Sequence, residues 1–176
     1  MLKKFVRRNL LILGLFIALF IIIMQLAKQP EISLAPLYKV PSAIKVHFNP
    51  EEKLYVVNFF ASWCKACIEE HKNIVSLKKK TKVSIYGIAV NDNEYALDYM
   101  LQKHHNPYKK FSTHFPLMEV PELEISRIPR TLIVYEGDII YDHSGEINKS
   151  ILDKKILPII KRILDKKSMK AKEPRT

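Results

Sequence analysis

Leu54–Glu70, LYVVNFFASWCKACIEE, is the stretch that most constrains what this chain can fold into. Leu54–Phe60 reads as a buried apolar strand, and it runs straight into a helix whose first residues are Cys64 and Cys67. These are the only 2 cysteines in the chain. A helix N-terminus carries a partial positive charge and unpaired backbone N–H groups. A thiol placed there ionises more easily, and the thiolate is the nucleophile of disulfide exchange. Lys65, between the two cysteines, adds to that effect. With Trp63 just before them, the pair reads as a redox-active dithiol at a strand-to-helix junction.

Two other readings compete. A structural disulfide across so short a loop would restrain little of the unfolded chain. Half of a zinc site would take His71, on the next turn, as its third ligand. No second cysteine pair and no His-x₃₋₅-His pattern follows to complete such a site. The reading adopted is a redox pair, with no metal and no bound cofactor.

Lys and Arg exceed Asp and Glu by 11, and Lys3, Lys4, Arg7, Arg8 and Lys28 precede any acid. The remaining basic residues are spread out, with no aromatic-interleaved stripe, so no nucleic-acid surface is expected. Leu10–Ala27 is apolar except for Gly14 and Gln25, a length near the lower end for a membrane span. A cleaved signal peptide has a similar start. Met24-Gln25-Leu26-Ala27 is not a small-x-small cleavage site, so residues 1–28 read as an uncleaved anchor. The basic cluster before the span keeps the N-terminus cytoplasmic and sends everything after Lys28 across the membrane.

Residues 29–50 hold Pro30, Pro36, Pro41 and Pro50 and read as a tether, with Leu37–Val40 and Ile44–Phe48 as short edge strands. The helix from Cys64 to Lys80 places Ile68, Val75 and, in part, Leu77 on one side. Val83–Val90 reads as a second buried strand, and Asn91-Asp92-Asn93 caps a helix that ends at Asn106-Pro107. Phe115–Val120 reads as a weaker strand, and Pro121–Ser126 as a single helical turn. Thr131–Tyr135 and Ile139–His143 form a hairpin around Glu136-Gly137-Asp138. A last helix spans Asn148–Lys166, kinked or restarted at Pro158. Residues 167–176 form a basic tail. A βαβ unit followed by ββα within residues 51–166 implies an α/β fold, a central mixed sheet flanked by helices in the thioredoxin arrangement.

With these elements in place, the chain resembles the membrane-anchored thioredoxin-like proteins of cytochrome c maturation, the DsbE/CcmG type. The resemblance covers about 54–163 together with the N-terminal anchor. It rests on Asn58-Phe59-Phe60-Ala61-Ser62-Trp63-Cys64-Lys65-Ala66-Cys67 and Glu70-His71. Further along it rests on Asn106-Pro107-Tyr108, Ile128-Pro129-Arg130-Thr131 and Tyr141-Asp142-His143-Ser144-Gly145. It implies that Cys64 is the exposed attacking thiol, Cys67 the resolving thiol, and Pro129 a cis proline against the pair. Asn58 occupies the strand position where ordinary thioredoxins carry a buried acid. Glu70 matches the acid this family places near the cysteines, although a solvated first-turn carboxylate would look the same in sequence. Two departures stand out: Arg130 follows the proline where the family carries an acid, and Lys65-Ala66 replaces the usual proline between the cysteines. Arg130, expected at the docking rim, would favour the Cys64 thiolate. The histidines read as surface or packing residues.

The chemistry implied is exchange through a mixed disulfide: Cys64 attacks a partner disulfide, and Cys67 then attacks Cys64 and releases it. The resemblance implies a reductant facing the periplasm from the bacterial inner membrane. Its substrates would be apocytochrome c and cytochrome c maturation proteins, and a membrane thiol transporter would be its electron donor. The rival readings are a general periplasmic disulfide reductase or oxidase and a tethered module that binds cysteine-containing chains without turnover.

Overall fold

The computed structural model describes residues 14–21, 34–113 and 127–172. The chain divides into two units, Met1–Ser33 and Leu34–Thr176. In the first, residues 14–21 are helical and exposed. Among the described residues no helix is long and apolar enough to cross a membrane. Most of the expected 1–28 anchor, the strand expected at Phe115–Val120 and the turn at Pro121–Ser126 lie outside the described residues.

In chain order the second unit runs β1 (Tyr38–Lys39), α1 (Ser42–Phe48), β2 (Leu54–Phe60), α2 (Lys65–Thr81), β3 (Ser84–Ala89) and α3 (Glu94–His104). It continues with β4 (Lys110–Ser112), β5 (Arg130–Tyr135), β6 (Asp138–Ser144) and α4 (Lys149–Ile151). A π-helical turn, Leu152–Ile156, then leads into α5 (Leu157–Lys172). The strands form one mixed sheet in the order β1-β6-β5-β2-β3-β4. β2 lies parallel to β3 and antiparallel to β5; β5 continues as a hairpin into β6, and the short β1 forms the edge on that side. β2 sits inside the sheet and is buried along both faces, as an apolar run interrupted only by Asn58 requires.

Two elements correct the sequence reading. Ile44–Phe48 is the end of helix α1, not an edge strand. Pro41 supplies the preset backbone at the position before the helix, and Ile44 and Phe48, one turn apart, point the same way into the core. They pack with Tyr55, Val57 and Phe59 of β2, so this part of the expected tether belongs to the folded domain. The second correction is the buried face of α2. It is formed by Cys67, Glu70, His71, Asn73, Ile74 and Leu77, whereas Ile68 is exposed. Half of that face is polar, which a search for apolar periodicity passes over.

Pro158 has no N–H to give to the carbonyl of Lys154. The chain accommodates it upstream, where Leu157 N–H bonds to the Leu152 carbonyl and closes the π turn. Beyond the proline the helix runs to Lys172, into the stretch expected to be a basic tail.

Candidate active site: a disulfide at a helix N-terminus

Cys64 is the N-cap residue of α2, and its sulfur accepts a hydrogen bond from the Cys67 N–H at 3.2 Å. The two sulfurs are joined in a disulfide, with Cα atoms 5.2 Å apart. Cys64 keeps 8% of its surface exposed and Cys67 1%, so a partner can reach the first sulfur more readily than the second. The Ile128–Pro129 peptide bond is cis, and the Ile128 carbonyl lies 4.0 Å from the Cys64 sulfur. The Pro129 carbonyl in turn accepts the Gly145 N–H at 2.8 Å, which ties the proline loop to the end of β6.

The loop between β3 and α3 braces the approach to the cysteines. Asp92 accepts the Ser62 N–H at 2.5 Å and its hydroxyl at 2.6 Å. The Asn91 carbonyl accepts the indole N–H of Trp63 at 2.9 Å. Trp63 is nonetheless 61% exposed, an apolar side chain next to Cys64 that the fold leaves open.

Beneath the disulfide is a buried polar network. Glu70, one turn after Cys67, is 1% exposed. The solvated-carboxylate reading therefore does not describe it. Its two oxygens accept from the Asn58 side-chain amide at 3.0 Å and the Ile147 backbone N–H at 2.9 Å. Asn58 also donates to the Thr131 hydroxyl at 3.0 Å and accepts from the Tyr108 hydroxyl at 2.7 Å. Burial pushes the Glu70 carboxyl up to about 7; the bonds from Ile147 and Asn58 pull it down, and nearby Glu146 adds to the rise. Desolvation likewise raises the Tyr108 hydroxyl well above its ordinary value.

Arg130 is placed differently from the expectation. Its guanidinium clasps Asp142 with two hydrogen bonds, at 2.6 and 2.9 Å, and donates to the Tyr38 hydroxyl at 3.2 Å. Tyr38 also bonds to Asp142. Arg130 is thus a compensated charge that ties β1, β5 and β6 together, rather than a cation offered to the sulfur. Burial alone would raise Asp142, but the bonds from Arg130 and Tyr38 hold it below its ordinary value.

His71, the third ligand of the zinc reading, is 2% exposed, and its Nε2 lies 2.8 Å from the His105 carbonyl. Burial lowers its pKa. Among the described residues no three His, Cys, Asp or Glu side chains are grouped to hold a metal ion. The sequence reading gave no site role to Tyr108 or Thr131, and gave Asp92 only a place in the turn that caps the next helix. Asn106-Pro107-Tyr108 was visible as a motif, but nothing in its spacing points the tyrosine at Asn58.

A disulfide at a helix N-terminus, a cis proline beside it and a buried acid behind it form one arrangement, and residues 27–156 match the Redoxin family. The chain belongs to that family. It is 28% identical over 172 residues to the thiol:disulfide interchange protein DsbE of Allochromatium vinosum, covering 89% of this chain and 94% of that protein. It is also 28% identical to DsbE of Pasteurella multocida, over 65% of this chain and 64% of that one. With HelX of Rhodobacter capsulatus it shares 28% identity over 61% of each. The last two matches thus span less than two thirds of those relatives' own length. Among solved structures, a thioredoxin family thiol:disulfide interchange protein from Chlorobium tepidum superimposes with a TM-score of 0.55. That match has 20% identity and covers 74% of this chain and 97% of the other. The fold of this Redoxin-family chain is therefore thioredoxin-like, a mixed sheet flanked by helices.

Proposed function

We propose that this chain is a thiol:disulfide oxidoreductase that reduces disulfides of apocytochrome c or of a protein of its maturation. In this reading it faces the periplasm from a single N-terminal anchor in residues 1–28. The observation that carries the reading is the Cys64–Cys67 disulfide at the start of α2, with the buried Glu70 carboxyl one turn behind it. The names of the DsbE and HelX relatives support thiol–disulfide interchange. The apolar Leu10–Ala27 run behind four basic residues supports the anchor.

The reaction starts from the dithiol. Cys64 thiolate attacks one sulfur of the client disulfide, forming a mixed disulfide and expelling a client thiolate. Cys67 then loses its proton, attacks the Cys64 sulfur and expels the second client thiolate. Two electrons pass to the client, and the Cys64–Cys67 disulfide remains. Glu70, with a carboxyl near neutrality, is suited to accept the Cys67 proton and to return one when the pair is recharged. Trp63 offers the client an apolar contact, and Pro129 lines the docking edge beside Cys64. Arg130 and Asn58 act indirectly, Arg130 by fixing the strands behind Pro129 and Asn58 by holding Glu70.

A domain beyond the membrane meets oxidants, so a reductant there needs a supply of electrons; a membrane thiol transporter is the donor this reading requires. Acid-trapped alkylation of intact cells tests the direction. The pair is expected to be mostly reduced while the donor is present and oxidised when it is removed. A fully oxidised pair with the donor intact would instead indicate an oxidase.

A further inference from the structure

Asn58 stands in the middle of a row that crosses the sheet. Thr131 of β5 is its partner on one side and Gly87 of β3 on the other, with Phe111 of β4 beyond Gly87. Gly87 leaves the row open. A Cβ there would lie only 3.0 Å from ring atoms of Tyr108 and Phe60 and 3.1 Å from Phe111. Through that gap Tyr108 lies stacked on Phe60, ring centroids 4.7 Å apart, and brings its hydroxyl to Asn58 Oδ1.

A side-chain amide can face either way in such a slot, and its hydrogen-bond partners decide which. As found, both hydrogens of Asn58 Nδ2 are used, one on Glu70 and one on Thr131, and Oδ1 takes the Tyr108 proton. Among the described residues no buried side-chain nitrogen or oxygen lacks a partner. Turned over, the amide would set its oxygen against a Glu70 carboxylate oxygen and its N–H₂ against the Tyr108 hydroxyl. The phenol hydrogen would lose its acceptor, and a buried donor without a partner is costly. Of the two donors on Glu70, the Ile147 N–H is backbone and cannot reverse; the amide can.

We propose that Tyr108 is a positioning residue for this site. Its hydroxyl locks the Asn58 amide with N–H toward Glu70, and so holds Glu70 as an acceptor-only carboxylate. The proton that Glu70 takes up then has no acceptor within the network and is directed away from it. The inference rests on the reading of Glu70 as the proton partner of Cys67, but its test needs no turnover. Among the described residues, the titratable groups that bear on Glu70 are Glu146, in the segment after β6, and Tyr108, in the segment before β4; β2 brings the Asn58 amide to it. Cys67, in the disulfide, does not titrate.

The test is a carbon-detected NMR titration of the Glu70 carboxyl in the oxidised full-length protein in detergent, wild type against Tyr108→Phe. Phenylalanine keeps the stacking on Phe60 and removes only the hydroxyl. With the lock gone, the amide turns to favour the acid, and the Glu70 midpoint is expected to rise by about one pH unit, the scale of one charge-assisted hydrogen bond. A second pair guards against a folding defect: Thr131→Val, which removes the other partner of Nδ2, is expected to raise the midpoint, and Thr131→Ser to restore it. A merely structural role would lower the melting temperature without moving these midpoints. A folded Tyr108→Phe protein that titrates as the wild type does would overturn the proposal; so would unchanged midpoints across the Thr131 pair. Loss of exchange activity elsewhere would contradict the redox reading but leave these midpoints as they are.

Discussion

A Cys67→Ser variant is expected to accumulate as a mixed disulfide with its client, linked through Cys64. The argument runs from exposure and connectivity. Cys64 is the more accessible sulfur and caps the helix, while Cys67 is nearly sealed and one turn in. With Cys67 in place, release is an intramolecular attack between residues whose Cα atoms are 5.2 Å apart. Such proximity makes resolution faster than attack by a free thiol by many powers of ten in effective concentration. Removing the resolving thiol should therefore lengthen the life of the adduct by at least ~10³-fold. Non-reducing gels and mass spectrometry of adducts from cells show it directly and identify the client. Cys64→Ser should give no adduct. Adducts formed through Cys67 in that variant would reverse the two roles, and the absence of adducts from both would leave only a structural bridge.

Glu70→Gln is expected to flatten the dependence of stability on pH. Burial raises the Glu70 carboxyl from an ordinary 4.5 to about 7, so folding favours its protonated form. That contribution is fully present below about 4.5 and is lost as pH rises through about 7. The loss amounts to about 3 kcal/mol, since each pH unit between the two midpoints is worth 1.36 kcal/mol. Glutamine carries no charge to bury, so the variant gains by that amount relative to wild type between pH 4.5 and pH 8. His71, lowered by burial, acts in the opposite sense, losing stability as pH falls below its unfolded value. It is common to both proteins and cancels in the comparison. Urea unfolding of the two oxidised proteins at both pH values measures the difference. Parallel profiles would mean that Glu70 is solvated in solution.

The parts of the fold that the sequence made legible are those whose signals are local. An apolar run interrupted only by Asn58 made β2, the paired cysteines marked the start of α2, and Glu136-Gly137-Asp138 marked the hairpin turn. The rest depends on contacts between distant segments. Helix α1 hides in a proline-rich stretch, because Ile44, Val46 and Phe48 alternate as a strand would, and the burial of Ile44 and Phe48 alone comes from packing with β2. Glu70 is matched to the family's acid by resemblance, but its sequence position alone fits an exposed first-turn acid equally well; the Ile147 N–H and Asn58, which hold it buried, come from distant parts of the chain. Arg130 reads as a free cation because its neutralising partner, Asp142, lies across a hairpin on the next strand. Tyr108 reaches Asn58 only because Gly87, on a different strand, leaves the space. In each case the residue type was visible and its partner was not.

The most direct measurement of the central claim is the equilibrium of the Cys64–Cys67 pair with reduced and oxidised glutathione, followed through Trp63, the chain's only tryptophan. The predicted result is a reversible two-electron transition that both cysteines share, with the fold intact in either state. A disulfide that stays closed until the protein unfolds would contradict the account.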